Sequence, residues 1–390
     1  MGRMDSSAPT PSESGASPGP PPRLVNWELA ASTAAKLTPA GPRMKAAEIR
    51  AAVDELRRLA EQSVDHVHRI TGLDAARDLR DSEVLIIDRA AWSKANARSF
   101  EVMLAPAITA LAEKRPDQLK SATTAVGSAI TGTQMGAILS FLSSKVLGQY
   151  DPFCSLLPGG PAAGRLMLVA PNIVTVEREL NVVPSDFRLW VCLHEQTHRV
   201  QFAAAPWLRD HMMEQIGELS SSLVEKSDTL GERLQQAVKA AVAATKDSGK
   251  DDGGAPGSSL KGSILELIQG PEEKAVFSHL TAVMSLLEGH ANVVMDAVDS
   301  SIVPTVKTIR QRFNARGQSR GALENWIRKL MGLDAKARQY SDGAKFVRAV
   351  TRQVGMQGFN AVWARPENLP TEEEIHHPDL WISRMDLSRA

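Results

Sequence analysis

The stretch Leu193–Phe202 reads L-H-E-Q-T-H-R-V-Q-F, and within it His194, Glu195 and His198 have the types and spacing that metal-assisted hydrolysis needs. On an α-helix, positions i and i+4 stack on one face, so His194 and His198 can offer two imidazoles to one Zn²⁺. Glu195 lies about 100° round the helix and can reach a water on that metal. Two His ligands, a Glu base and a metal that lowers the pKa of water make up the metalloprotease arrangement. The bland alternative is two histidines and a glutamate on a packed or solvated helix face. Five-residue strings also arise by chance, so the motif counts only in a helical context.

That context is present. The pattern predicts a helix over Ser185–Ala205, with Ser185 as N-cap after Pro184, Asp186 in the first turn and Pro206 beyond the end. Its many apolar positions, including Phe187, Leu189, Trp190, Leu193, Val200 and Phe202, predict a buried helix.

A zinc site needs a third protein ligand, and His₂Glu is a standard catalytic set. A second apolar helical pattern, Glu272–Asp299, carries L-L-E-G-H-A-N at residues 286–292. Ionisable groups in such a stretch are costly unless partnered, and Glu288 is the natural supplier. His290 is the competitor. Lying two positions on, it faces about 200° away from Glu288, so one regular helix cannot easily direct both at one metal. Otherwise His290 is a hydrogen-bonding neighbour of the site or a core histidine. Gly289 would let the two site helices approach. Asn292 and Asp296 are candidates to orient ligands from behind, or simply internal hydrogen-bonding residues.

The remaining elements must hold these two helices. Helical patterns cover Lys45–Thr71, Ala90–Leu111, Trp207–Val224, Ile302–Phe313, Glu324–Leu333 and Arg338–Val350. Ser121–Gln149 is apolar and studded with Gly127, Gly132, Gly136 and Gly148, which reads as a closely packed helix rather than a phosphate loop, since no Lys-[Ser/Thr] ending follows. Val84–Asp88 reads as a strand. Gly164–Val174 reads as another, edge-like because Pro171 lacks a donor, and able to line a cleft beside extended substrate. The fold class is mainly α with a small β-sheet. One domain is expected over 24–390, behind a disordered Pro/Ser/Gly-rich tail at 1–23 and with a flexible insertion at about 226–262.

Composition narrows the function classes. Forty-five basic residues balance forty-five acidic ones, which argues against a nucleic-acid-binding protein while leaving room for a local basic patch. Cys154 and Cys192 are too few for a disulfide framework and suit a reducing compartment. No apolar run reaches the roughly 20 residues of a membrane span, and Met1–Arg23 lacks the apolar core of a signal peptide. Met1-Gly2 with Ser6 matches an N-myristoylation pattern only formally, without a second membrane signal. The expectation is a cytoplasmic protein with no membrane or nucleic-acid partner and a peptide or small amide as substrate.

Three strings carry a resemblance. V-E-R-E-L followed by P-S-D-F-R-L-W-V-C-L-H-E-Q-T-H-R-V-Q-F, then S-L-L-E-G-H-A-N-V-V-M-D-A-V, then L-D-A-K-A-R-Q-Y-S-D-G-A-K-F-V resemble the actinobacterial zincin-like metallopeptidase type 2 family, from about Trp27 to Trp381. The resemblance implies a zincin-like fold, His194 and His198 as zinc ligands and Glu195 as general base. Its E-G-H-A string is similar to the N-E-G-F-A ligand segment of zinc aminopeptidases, with Leu287 in place of Asn, which points to Glu288. Zincins use a Tyr, His or Arg to stabilise an oxyanion, which makes Tyr340 and His290 the candidates here, against their reading as ordinary core or rim residues. The His pair in H-H-P at His376–Pro378 reads as a solvated turn. The functional expectation is zinc-dependent peptide hydrolysis. The alternatives are an amidohydrolase acting on a small molecule and a non-catalytic scaffold that keeps the fold.

Overall fold

The computed structural model describes residues 24–114, 125–226, 270–316 and 339–387. The tail at 1–23, the insertion past Lys226 and the helix expected over Glu324–Leu333 lie outside the described residues. The helices in chain order are α1 (Trp27–Leu37), α2 (Ala46–Thr71), α3 (Arg89–Lys114), α4 (Ala125–Ser143), α5 (Ala170–Glu179), α6 (Pro184–Ala204), α7 (Leu208–Lys226), α8 (Pro271–Ala297), α9 (Val306–Arg316), α10 (Gln339–Phe359), α11 (Glu372–His376) and α12 (Pro378–Arg384). Strands β1 (Glu83–Ile87), β2 (Gly148–Asp151) and β3 (Arg165–Val169) form one sheet in the order β1-β3-β2. A mainly helical fold with a small sheet is therefore what the chain adopts.

The sheet divides two cores, and strand alternation assigns its side chains. β3 runs parallel to β1 and antiparallel to β2, and successive residues point to opposite faces. Leu168, with Val84 and Ile86 of β1, packs into the core of α2, α6, α8 and α10; Met167 and Val169, with Leu85 and Ile87, pack into the core of α1, α3 and α4. On this second side α4 lies hard against α1. A Cβ at Gly132 would sit 2.5 Å from the Asn26 carbonyl oxygen, and one at Gly136 would sit 2.7 Å from that of Ala30. The small residues of α4 thus serve close helix packing, as their pattern indicates.

Two boundaries differ from expectation. The run expected to be one strand over Gly164–Val174 is β3 followed at once by α5, with Pro171 inside the first turn of the helix, where its missing N–H costs nothing. β3 is also the central strand, not an edge. The helix expected over Ser121–Gln149 stops at Ser143, and Gly148 begins β2, which among the described residues has a partner on one side only.

Helix α6 is pinned along its length. Pro184 presets its first turn with Val183 rather than Ser185 as N-cap, and Asp186 accepts from the backbone N–H (2.8 Å) and hydroxyl (2.6 Å) of Thr305 ahead of α9. Arg188 is buried but paired: it grips Glu177 of α5 through two hydrogen bonds of 2.9 and 2.6 Å and also donates to Glu55 of α2. Gln196 donates to the Ala60 carbonyl of α2 (2.7 Å), and Arg199 donates to the carbonyls of Leu79 (2.7 Å) and Ser82 (2.9 Å) ahead of β1. These anchors leave one face of α6 to turn toward α8 and β2. Helix α8 in turn crosses α10 at glycines. A Cβ at Gly289 would meet the Gly343 carbonyl carbon at 2.3 Å, and one at Gly343 would meet the Ser285 oxygen at 1.9 Å. Gly289 therefore serves the approach of α10, not that of α6.

Candidate metal centre

The anchored face of α6 carries His194 and His198 one turn apart, with ring centroids 5.0 Å apart and planes at 84°. Glu288 comes from α8. One donor atom from each of His194, His198 and Glu288 lies within 4.8 Å of the other two, and His198 Nε2 is 3.6 Å from Glu288 Oε1. Ligands about 2.0–2.2 Å from a tetrahedral zinc stand roughly 3.3–3.6 Å apart, a separation that the His198–Glu288 pair has, while the other two pairs lie within 4.8 Å. The donors are half-buried: the side chains of His198 and Glu288 are 14% and 32% exposed, leaving the cluster open on one side.

Electrostatics match this donor set. Burial, aided by His198, lowers the pKa of His194 to about 4, so its imidazole is neutral and its lone pair available. Burial, aided by the nearby Glu288 carboxylate, raises Glu195 to about 8. Two imidazoles beside two carboxyl groups form a donor set that a divalent cation would complete, since its positive charge would offset the burial that holds Glu195 toward its neutral form. The residues present therefore fit a zinc ion.

Glu195 is buried and packed against the start of β2. A Cβ on Gly148 would lie 2.5 Å from its Cγ and 2.6 Å from its Cδ. A glycine is needed at this point for the carboxylate to lie where it does. Gly148 escaped the sequence reading because it looks like the tail of the helix before it. The strand beside the site is thus β2, in the place the sequence reading gave to Gly164–Val174.

The other candidates separate. His290 is fully buried, its ring 5.3 Å from those of Phe359 and Trp363, and burial, aided by His198, lowers its pKa to about 3. It has no exposed surface from which to meet a substrate. Asn292 and Asp296 are exposed, and Asp296 is bound by Arg348 of α10 (2.6 and 3.0 Å), so neither orients a site residue. Tyr340 belongs to the first turn of α10, and its side chain lies outside the described residues. The other tyrosine, Tyr150 of β2, rests on Phe202 with centroids 5.3 Å apart and donates to the Ala163 carbonyl. His376 ends α11 and pairs with Asp342 (3.3 Å) instead of standing in an open turn. A separate cleft of about 300 Å³ opens beyond the end of α6, against Phe202, Ala203, Pro206 and Arg209, and none of the converging donors lines it.

Between α6 and α8 lies a residue that sequence reading did not single out. Gln201, three positions after His198 and so on the same face, is fully buried and touches both His198 and the segment around Glu288. Its position in the R-V-Q-F end of the motif stretch was the available signal.

Comparison with known proteins bears on the fold and the family. A family model described as zincin-like metallopeptidase matches residues 25–382. The chain is also similar to a protein from Chloroflexus aurantiacus, whose crystal structure is described as that of a candidate hydrolase with a novel fold. The identity is 31%, the TM-score is 0.62, and the match covers 93% of this chain and 99% of that one. No curated protein matches the chain.

Proposed function

Because this chain belongs to the zincin-like metallopeptidase family, we propose that it hydrolyses peptide bonds with one zinc ion held by His194, His198 and Glu288. The convergence of those three donors from α6 and α8 carries this reading. When bound there, zinc would supply a Lewis acid for the substrate carbonyl and acidify a water molecule. Glu195 is the proton carrier. Its carboxylate takes the proton from the attacking water and returns it to the leaving amine, a role suited to a carboxyl whose affinity for a proton burial raises. Gly148 holds that carboxylate in place by having no side chain.

A peptide is favoured over a compact amide because Gly148 at the start of β2 touches Glu195 and, among the described residues, β2 pairs only with β3, so an extended chain can add to its other edge through its backbone. Cys154 and Cys192 are free and buried, in keeping with a reducing, cytoplasmic setting. Among the described residues no helix is long and apolar enough to cross a membrane.

The test is mass-spectrometric profiling of a proteome-derived peptide library with zinc-loaded wild type and Glu195→Gln. Wild type is expected to cleave a defined subset, and Glu195→Gln to be slower by about 10²–10⁴-fold at unchanged zinc content. A zinc-loaded wild type that cleaves no peptide would refute the peptide reading, and turnover of small amides would then put an amidohydrolase in its place.

A further inference from the structure

The side chain of Gln201 accepts at Oε1 from His198 Nδ1 (3.0 Å), donates from Nε2 to the Leu287 carbonyl (2.8 Å) and lies 3.0 Å from His290 Nδ1. The Leu287 carbonyl can only accept, so the amide must turn its NH₂ toward α8 and its oxygen toward His198. An oxygen facing Nδ1 requires the hydrogen of His198 on Nδ1. The lone pair is then on Nε2, the atom 3.6 Å from Glu288 Oε1. The second amide hydrogen points at His290 Nδ1, which must be bare, leaving the His290 hydrogen on Nε2. That nitrogen is buried without a hydrogen-bond partner among the described residues. A phenylalanine would fill the same slot between Phe359 and Trp363 without an unmatched polar atom. What the imidazole adds is the acceptor that it turns to Gln201.

We propose that Gln201 and His290 form a positioning relay that holds His198 in its metal-binding tautomer and fastens the helix of His198 to the turn that presents Glu288. Leu287 is the chain neighbour of Glu288, so the hydrogen bond that fixes the amide also fixes the backbone beside the third donor. The relay touches neither substrate nor reacting atoms. This inference rests on the reading of His198 and Glu288 as zinc ligands. Neighbours that orient a metal-bound imidazole typically change metal affinity about 10–100-fold when removed.

The experiment measures zinc affinity by competition with a chromophoric chelator for wild type, Gln201→Leu and His290→Phe. It is paired with long-range ¹H–¹⁵N NMR of the metal-free proteins, which reports which nitrogen of His198 carries the hydrogen. Gln201→Leu is expected to weaken zinc binding about 10–100-fold and to release His198 from the Nδ1–H form. His290→Phe, which leaves Gln201 hooked to Leu287, is expected to lose less affinity and keep that tautomer. Equal zinc affinity in wild type and Gln201→Leu, with His198 unchanged, overturns the relay while leaving the zinc site standing. Absence of zinc binding in wild type overturns the underlying assignment instead. The tautomer of metal-free wild type decides the relay even if a variant fails to fold, because His198 carrying its hydrogen on Nε2 would refute it.

Discussion

Replacing Gly148 with alanine would set a methyl group 2.5 Å from Glu195 Cγ, 2.6 Å from its Cδ and 2.9 Å from its Oε1. Ordinary contacts between carbon atoms lie at about 3.5–4.0 Å, so one partner must retreat by roughly 1 Å. Helix α6 cannot yield easily, since Arg188, Gln196 and Arg199 tie it to α5, α2 and the segment before β1. β2 is held by β3 through the Gly148–Leu168 register. The buried Glu195 side chain is what must swing. A displacement of about 1 Å in a reacting group can cost about 10²-fold in rate, equivalent to roughly 2.7 kcal/mol of transition-state stabilisation. Packing strain of about 1–3 kcal/mol would appear as lower stability. No zinc donor is touched, so zinc affinity should be unchanged. The assay is kcat/KM on a peptide cleaved by wild type, together with a zinc titration and a urea unfolding curve. A Gly148→Ala protein that retains wild-type kcat/KM, with its Glu195 carboxylate unmoved in a crystal structure, would refute the positioning argument.

Further outcomes follow from other parts of the fold. Arg188→Met leaves the buried Glu177 without its bidentate partner and should cost about 3–5 kcal/mol in urea unfolding; the double variant with Glu177→Leu should recover part of it, and an Arg188→Met protein as stable as wild type would contradict the buried-pair reading. His211 of α7 and His279 of α8 meet through their Nε2 atoms at 2.7 Å. Burial lowers both pKa values, against the opposing pull of Glu214, Glu218 and Glu367 on His211 and with the help of His211 on His279. The unfolded chain, with histidines near a pKa of about 6.5, then binds more protons below that value, so stability should fall as pH drops from about 7.5 to 5.5. Urea midpoints at the two pH values should converge in His279→Gln relative to wild type, and an unchanged difference would refute the role of the pair.

Much of this was legible in the sequence where local signals are strong. Helix α6 lies within one residue of its expected span because Pro184 and Pro206 punctuate it. Glu288 could be singled out because an ionisable group in an apolar helical run needs a partner, and the structure brings it beside His194 and His198. The failures lie where tertiary context decides. The apolar run through Pro171 is compatible with strand or helix by periodicity alone, and only the pairing of β3 on both sides shows where the strand stops. β2 is four residues long, too short to carry a pattern, and forms because β3 offers it an edge. Gly289 was linked to the wrong neighbour because a glycine records a close approach but not the identity of what approaches. Gln201 was invisible as a functional residue because its role depends on a carbonyl and an imidazole some ninety residues away, on another helix.

The most direct measurement is elemental analysis of metal in wild type, His198→Ala, Glu288→Ala and His290→Ala after reconstitution with zinc. The expected result is about one zinc per chain in wild type, its loss in His198→Ala and Glu288→Ala, and its retention at saturating zinc in His290→Ala. A wild type that takes up no divalent ion, or a Glu288→Ala protein that keeps its zinc while His290→Ala loses it, would contradict the site.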